Sequence, residues 1–209
     1  MVANMVGVKL EKHYLNLSKQ EHLSDSYKAL NPLRKVPFII NGDLRLGESR
    51  AIMAYLVNKY KPNDEHLYPQ SNLELRAKID ELLQYDAGTL WPAKSRLFWP
   101  KIFGSAKEFD QNDEKALRRC LNYLNNRLGQ NQQQQQQQRF FLSNELSIAD
   151  ISLAASFTFT QACDFNMDEH KNLLAYLERL RASIPNYGDI NDEPCENMRK
   201  FFDSIAEAK

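Results

Sequence analysis

The stretch from Val36 to Tyr60 limits the possible folds of this chain more than any other part of it. Val36-Pro-Phe-Ile-Ile reads as a buried strand, Asn41-Gly42 supplies the backbone conformations of a tight hairpin turn, and Leu44 to Leu46 return as the partner strand. At Glu48 the apolar period changes to helical spacing, with Ile52, Tyr55, Leu56 and Tyr60 on one face. A hairpin that runs at once into a helix needs both apolar faces packed into a common layer, so the first third is mixed α/β. Lys12 to Leu17 is a further short strand candidate, after an apolar stub ended by Gly7. Lys61-Pro-Asn-Asp-Glu is polar and holds a helix-stopping proline, and marks a linker.

Beyond the linker the pattern is helical. Apolar positions recur every three or four residues through Leu73 to Leu90, Ala116 to Leu128, Ile148 to Phe165, Leu173 to Ile184 and Met198 to Ile205. The expected architecture is α+β in two parts: a glutamine-interrupted all-helical domain over 68–209 after a mixed domain over 1–62. The interruption at 130–138 is Gln130-Asn131 and then an unbroken glutamine run, which has no apolar surface to bury and is expected to lie exposed between two helices.

Lys+Arg and Asp+Glu both number 27, a formal net charge of zero, which removes the electrostatic reason to expect nucleic acid or an anionic membrane surface as partner. No apolar run approaches the ~20 residues of a membrane span. Cys120, Cys163 and Cys195 are odd in number and widely spaced, matching neither a disulfide framework nor a zinc site. A reducing cytoplasm is the expected setting. The histidines His13, His22, His66 and His170 are scattered, and no Gly-x-Ser-x-Gly or His-Glu-x-x-His occurs, so serine and metal hydrolase readings fall away.

Two helix starts carry chemistry or architecture. Gly47-Glu-Ser-Arg-Ala-Ile opens a helix, whose N-terminal N–H groups and partial positive charge suit a carboxylate. Ser49 can donate to such a carboxylate, and the acceptor-only Glu48 can take an ammonium. The bland alternative is that Ser49 only caps the helix and Glu48 only favours its dipole. Leu146-Ser-Ile-Ala-Asp-Ile is a capping box, with Ser147 as cap, Asp150 reaching back, and Leu146 able to staple against Ile151.

Taken together, Leu30-Asn-Pro-Leu-Arg-Lys-Val-Pro-Phe, the Glu48-Ser49 helix start eleven positions after Pro37, and the Leu146 to Ile151 box resemble the glutathione S-transferase family. Leu17-Ser-Lys-Gln-Glu-His-Leu, Tyr-Leu-Val-Asn-Lys-Tyr ending at Tyr60, and Leu67-Tyr-Pro are similar to the insect delta/theta kind. The resemblance runs from about Val2 to Phe202. It implies a thioredoxin-like first domain, a cis proline at Pro37, and reduced glutathione as co-substrate with no metal. Val36 would pair its backbone with the cysteinyl part. Glu48, Ser49 and Arg50 would hold the γ-glutamyl end, Arg34 and His22 the glycyl end, and Lys35 would also belong to the glutathione site. Trp91 and Phe98 fall where the family lines its pocket for hydrophobic electrophiles, although aromatic residues at that spacing also serve as core. The family usually forms homodimers.

Matching Val6-Gly7-Val8 and Tyr14 to Leu17 to the family sets Met1 within the family's first helix. The first strand and the loop whose serine hydroxyl favours the thiolate are then expected to be absent, leaving no catalytic hydroxyl to assign. Leu33 stands where delta relatives commonly carry an amide, which implies altered glutathione affinity. The leading reading is a detoxifying transferase that conjugates glutathione to hydrophobic electrophiles. The alternatives are a weak or inactive member that binds glutathione or apolar ligands, and an incomplete version of a longer protein.

Overall fold

A computed structural model describes residues 1–103, 106–133 and 138–207. Its elements in chain order begin with α1 (Val2–Met5), a 3-10 turn (Glu21–Leu23), α2 (Asp25–Leu30), β1 (Phe38–Asn41), β2 (Leu44–Gly47) and α3 (Ser49–Tyr60). Then come α4 (Leu73–Tyr85), a π turn (Asp86–Leu90), α5 (Trp91–Ile102) and α6 (Gln111–Gln133). The chain closes with α7 (Ile148–Ala162), α8 (Lys171–Ser183), a second π turn (Gly188–Asp192) and α9 (Glu193–Glu207). This is the expected α+β arrangement: a thioredoxin-like part built on a small sheet, followed by helices.

Strands β1 and β2 pair antiparallel, with Phe38 opposite Gly47 and Asn41 opposite Leu44. The two loop residues are therefore Gly42 and Asp43, one position later than the Asn41-Gly42 turn expected from the sequence. Gly42 has φ +61° while Asp43 stays outside the left-handed region, the pattern of a II′ turn, whose first central position asks for glycine. Asn41 is left free to fasten the hairpin to α3, its amide donating to the Tyr55 hydroxyl at 3.1 Å and to that of Tyr60 at 2.9 Å.

Helix α3 buries Ile52, Leu56 and Val57 and packs on α1, on β2 and on α7 of the helical part. Helix α7 is the core element of that part; its buried residues run from Ile148 to Thr160 and occur on every side of the helix. A helix surrounded by packing needs its N-terminal donors satisfied internally. The capping box does so, since Ser147 Oγ accepts from the Asp150 N–H and Asp150 Oδ2 accepts from the Ser147 N–H at 2.8 Å. Asp150 Oδ1 also takes the Phe141 N–H at 3.2 Å and the Tyr176 hydroxyl at 2.5 Å, tying three segments to one carboxyl. The Ile148 N–H donates to the Leu67 carbonyl at 2.9 Å, joining the linker region to the same point.

Further expectations change. Lys12 to Leu17 forms no strand; among the described residues the sheet has two strands only. Asn16 Oδ1 accepts from Ser18 Oγ at 2.7 Å and from the Lys19 N–H at 3.1 Å, so the segment ends in a local turn instead of a ladder. The helical stretch read over Leu73 to Leu90 is joined to α5 without a loop, through a π turn in which the Trp91 N–H reaches back five residues to Asp86 O ahead of Pro92. Helix α6 runs into the glutamine tract as far as Gln133, while residues 134–137 of that tract lie outside the described residues.

Candidate functional site at the mouth of the hairpin

The pairing that sets Phe38 opposite Gly47 brings the residues just outside the ladder, Val36-Pro37 and Glu48-Ser49, to the same end of the hairpin. The Val36-Pro37 peptide is cis. Val36 is exposed, and its N–H and C=O take no partner among the described residues. The loop leading to it is held from behind. Asn31, 4% exposed, donates its amide to the Lys35 carbonyl at 2.7 Å, and the Tyr27 hydroxyl donates to the same carbonyl at 2.7 Å. Asn31 Oδ1 accepts from the Leu33 N–H at 3.2 Å. Arg34 takes φ +54° in this loop and is half-buried, whereas the Lys35 side chain is exposed.

Across the mouth, Glu48 carries φ +62°, a conformation that non-glycine residues rarely hold and that turns the chain from β2 into α3. Its carboxylate makes no cap bond to the helix. The first backbone donor used is the Ile52 N–H, to Glu48 O at 3.0 Å. The N–H groups of Ser49, Arg50 and Ala51 therefore have no partner among the described residues, and Ser49 is the first helical residue rather than the cap. An uncapped positive helix end beside an unpaired extended backbone can take a zwitterionic peptide: a carboxylate at the tip, main-chain pairing at Val36. His22 lies in the 3-10 turn, half-buried, with Nδ1 buried; among the described residues it has no hydrogen bond to Val36 or Ser49.

Arg50 turns inward. Its Nη2 donates to Asp86 Oδ2 at 2.5 Å, and its Nη1 to Ser49 Oγ at 3.3 Å. Asp86, wholly buried, also accepts from Ser152 Oγ at 2.5 Å and Ser156 Oγ at 2.6 Å. Beside this cluster Lys94 is wholly buried and donates to the Ser156 carbonyl at 2.8 Å. Burial pushes the Lys94 ammonium down to about 8, against the attraction of Asp86. Asp86, Ser152, Ser156 and Lys94 went unnoticed at the level of sequence. One signal could have found the two charged members: Asp86 and Lys94 fall on the apolar stripe that includes Ile79, Leu82, Leu83, Leu90 and Leu97.

Trp91 is 37% exposed at the start of α5, followed along the helix by Trp99 at 44% and Phe103 at 73%. The Trp91 ring lies 6.2 Å edge-on from Trp99 and 5.9 Å from Phe159. Phe98, 1% exposed, sits behind this row in a cluster with Phe109, Phe159 and Phe165. Among the described residues no group of three or more His, Cys, Asp or Glu side chains is placed to hold a metal ion. No described helix is long and apolar enough to cross a membrane.

Residues 1–58 match the family model for the glutathione S-transferase N-terminal domain, and residues 106–179 that for its C-terminal domain. A delta-class glutathione transferase of Nilaparvata lugens superposes with a TM-score of 0.87 at 29% identity, over 98% of this chain and 91% of that one. An epsilon-class enzyme from the housefly, Musca domestica, gives 0.84 at 27% identity, over 97% and 89%. A homologue from Drosophila mojavensis with bound glutathione gives 0.82 at 25% identity, over 97% and 89%.

Proposed function

Because this chain belongs to the glutathione S-transferase family, we propose that it conjugates reduced glutathione to hydrophobic electrophiles, as a detoxifying enzyme, with the tripeptide held at the hairpin mouth. The observation that carries the binding site is the register: Val36 and Ser49 stand at one end of a two-stranded ladder, each with unclaimed backbone donors. In this reading the free N–H groups of α3 and the Ser49 hydroxyl hold the γ-glutamyl carboxylate, and Glu48 takes the ammonium. The Val36 N–H and C=O, turned outward ahead of Pro37, pair with the cysteinyl backbone. Arg34, with Lys35 and His22, faces the glycyl carboxylate, and Arg50 holds Ser49 in place from inside the protein. Trp91, backed by Phe98, forms the wall of the electrophile side.

The sulfur of bound glutathione, as thiolate, forms the new bond to carbon; the electron pair leaves with a halide or settles on an acceptor group. What the named residues contribute is binding and orientation, which convert a bimolecular encounter into attack within one complex. The domains 1–62 and 68–209 then divide the work, one for glutathione and one for the electrophile. A cytoplasmic homodimer accords with the three free cysteines and with the family's habit.

The test is retention of the folded protein on immobilised glutathione together with conjugation of 1-chloro-2,4-dinitrobenzene. Ser49→Ala should raise KM for glutathione about tenfold, the equivalent of one hydrogen bond to a charged group, with kcat little changed. Retention without turnover would leave a glutathione-binding relative. Neither retention nor turnover by folded protein would refute both.

A further inference from the structure

Lys94 is a charge the binding scheme above does not use. Its side chain is 0% exposed, yet among the described residues no carboxylate pairs with it, and it donates to the Ser156 carbonyl at 2.8 Å. Nζ also lies over two aromatic rings, 5.1 Å from the Trp91 centroid and 5.0 Å from that of Phe159. The groups acting on it from neighbouring elements are Asp86 and Arg50, of opposite sign, and the thiols of Cys163 and Cys195. An ammonium so placed is costly to bury, and a methionine of the same length would fill this space without that cost.

We propose that Lys94 is a specificity-determining residue that places a positive charge behind the Trp91 wall, favouring electrophiles whose ring gathers negative charge as sulfur adds. The proposal rests on Trp91 being that wall. A cation held against one face of an aromatic ring draws the ring's electron density toward itself. Trp91, 37% exposed, is thereby made a better neighbour for an electron-rich ring. In attack on a dinitroaryl halide, sulfur bonds to the ring carbon and the electron pair spreads into the ring and nitro groups until halide leaves. In attack on a benzyl halide, the pair passes directly from the carbon to the departing halide and the ring stays neutral. Lys94 therefore aids the first reaction more than the second. It acts through Trp91 and Phe159, so it is a positioning residue for charge rather than a group that touches the substrate.

Three measurements on the full-length protein test this, the first without any need for turnover. Quenching of tryptophan fluorescence gives Kd for 2,4-dinitrophenolate and for neutral 1,3-dinitrobenzene. Lys94→Met should reduce the preference for the anion about tenfold. Trp91→Ala should weaken both ligands. If Trp91→Ala changes neither Kd, the wall has been misplaced and the proposal falls with it. If Trp91→Ala weakens both but Lys94→Met leaves their ratio unchanged, the role of Lys94 alone is refuted. The third readout uses the native protein and so survives any folding failure of a variant. The ratio of kcat/KM for 1-chloro-2,4-dinitrobenzene to that for benzyl chloride cancels the common thiolate titration, and should fall as pH rises through about 8, where Lys94 loses its charge. A ratio flat across that range overturns the proposal.

Discussion

Replacing Asp86 by alanine removes the acceptor of three donors at once: Arg50 Nη2 at 2.5 Å, Ser152 Oγ at 2.5 Å and Ser156 Oγ at 2.6 Å. Removing one partner of a buried ion pair costs about 3–5 kcal/mol, because the other charge stays behind uncompensated. The Arg50 side chain keeps 23% of its surface exposed, so part of the guanidinium regains water and the lower figure applies to it. The two stranded hydroxyls add about 1 kcal/mol, giving roughly 4 kcal/mol in all. Arg50→Met, which leaves Asp86 with only its serine partners, should cost about 3 kcal/mol by the same reasoning. If the two side chains act as a pair, the double variant loses about 4 kcal/mol rather than the sum of about 7. Urea unfolding followed by the fluorescence of Trp91 and Trp99, with the slope checked for constancy, measures all three. A double variant whose loss equals the sum to within about 0.5 kcal/mol would refute the coupling. Asp86→Ala should also raise KM for glutathione, since Arg50 Nη1 then loses its fixed position 3.3 Å from Ser49 Oγ.

Asp150→Ala strips the capping box and leaves the Ser147 hydroxyl and N–H and the Tyr176 hydroxyl without that acceptor. A loss of about 4 kcal/mol in urea unfolding is expected, and one under about 1 kcal/mol would contradict the network. His170 is buried with both ring nitrogens lacking hydrogen bonds among the described residues, and burial lowers its imidazole below the ordinary 6.5. The unfolded chain then binds a proton that the folded one resists. This contribution to stability is whole above pH 6.5 and is lost as pH falls below it. The urea midpoint should decline between about pH 7 and 5. His170→Phe should decline less over the same interval; parallel curves would remove His170 from the account.

Features encoded by near neighbours were legible before any coordinates. The hairpin with its glycine turn, the helix start after Glu48 and the box at Ser147 and Asp150 each depend on residues within a few positions of one another, so spacing alone reveals them. The slip of the turn from Asn41-Gly42 to Gly42-Asp43 shows the limit of that method. Either pair could turn the chain, and the bonds from Asn41 to Tyr55 and Tyr60, far along α3, accompany the one adopted. The Lys12 to Leu17 segment shows it again, because a short apolar stretch proposes a strand but only a partner ladder makes one.

The sequence by itself determined the hairpin, the helix start after Glu48, the capping box at Ser147, and that Val36 and Ser49 flank one hairpin, because those are consequences of local bonding and period. Only the tertiary structure decided which charges are buried. Asp86 meets Arg50 from 36 residues away and Ser156 from 70, and Lys94 reaches the Ser156 carbonyl across 62. Burial is a property of what packs against a residue from elsewhere in the chain, and no window of neighbouring letters contains it. For the same reason Trp91 and Phe98, seven positions apart on one helix, part company: one at the surface, the other in the core.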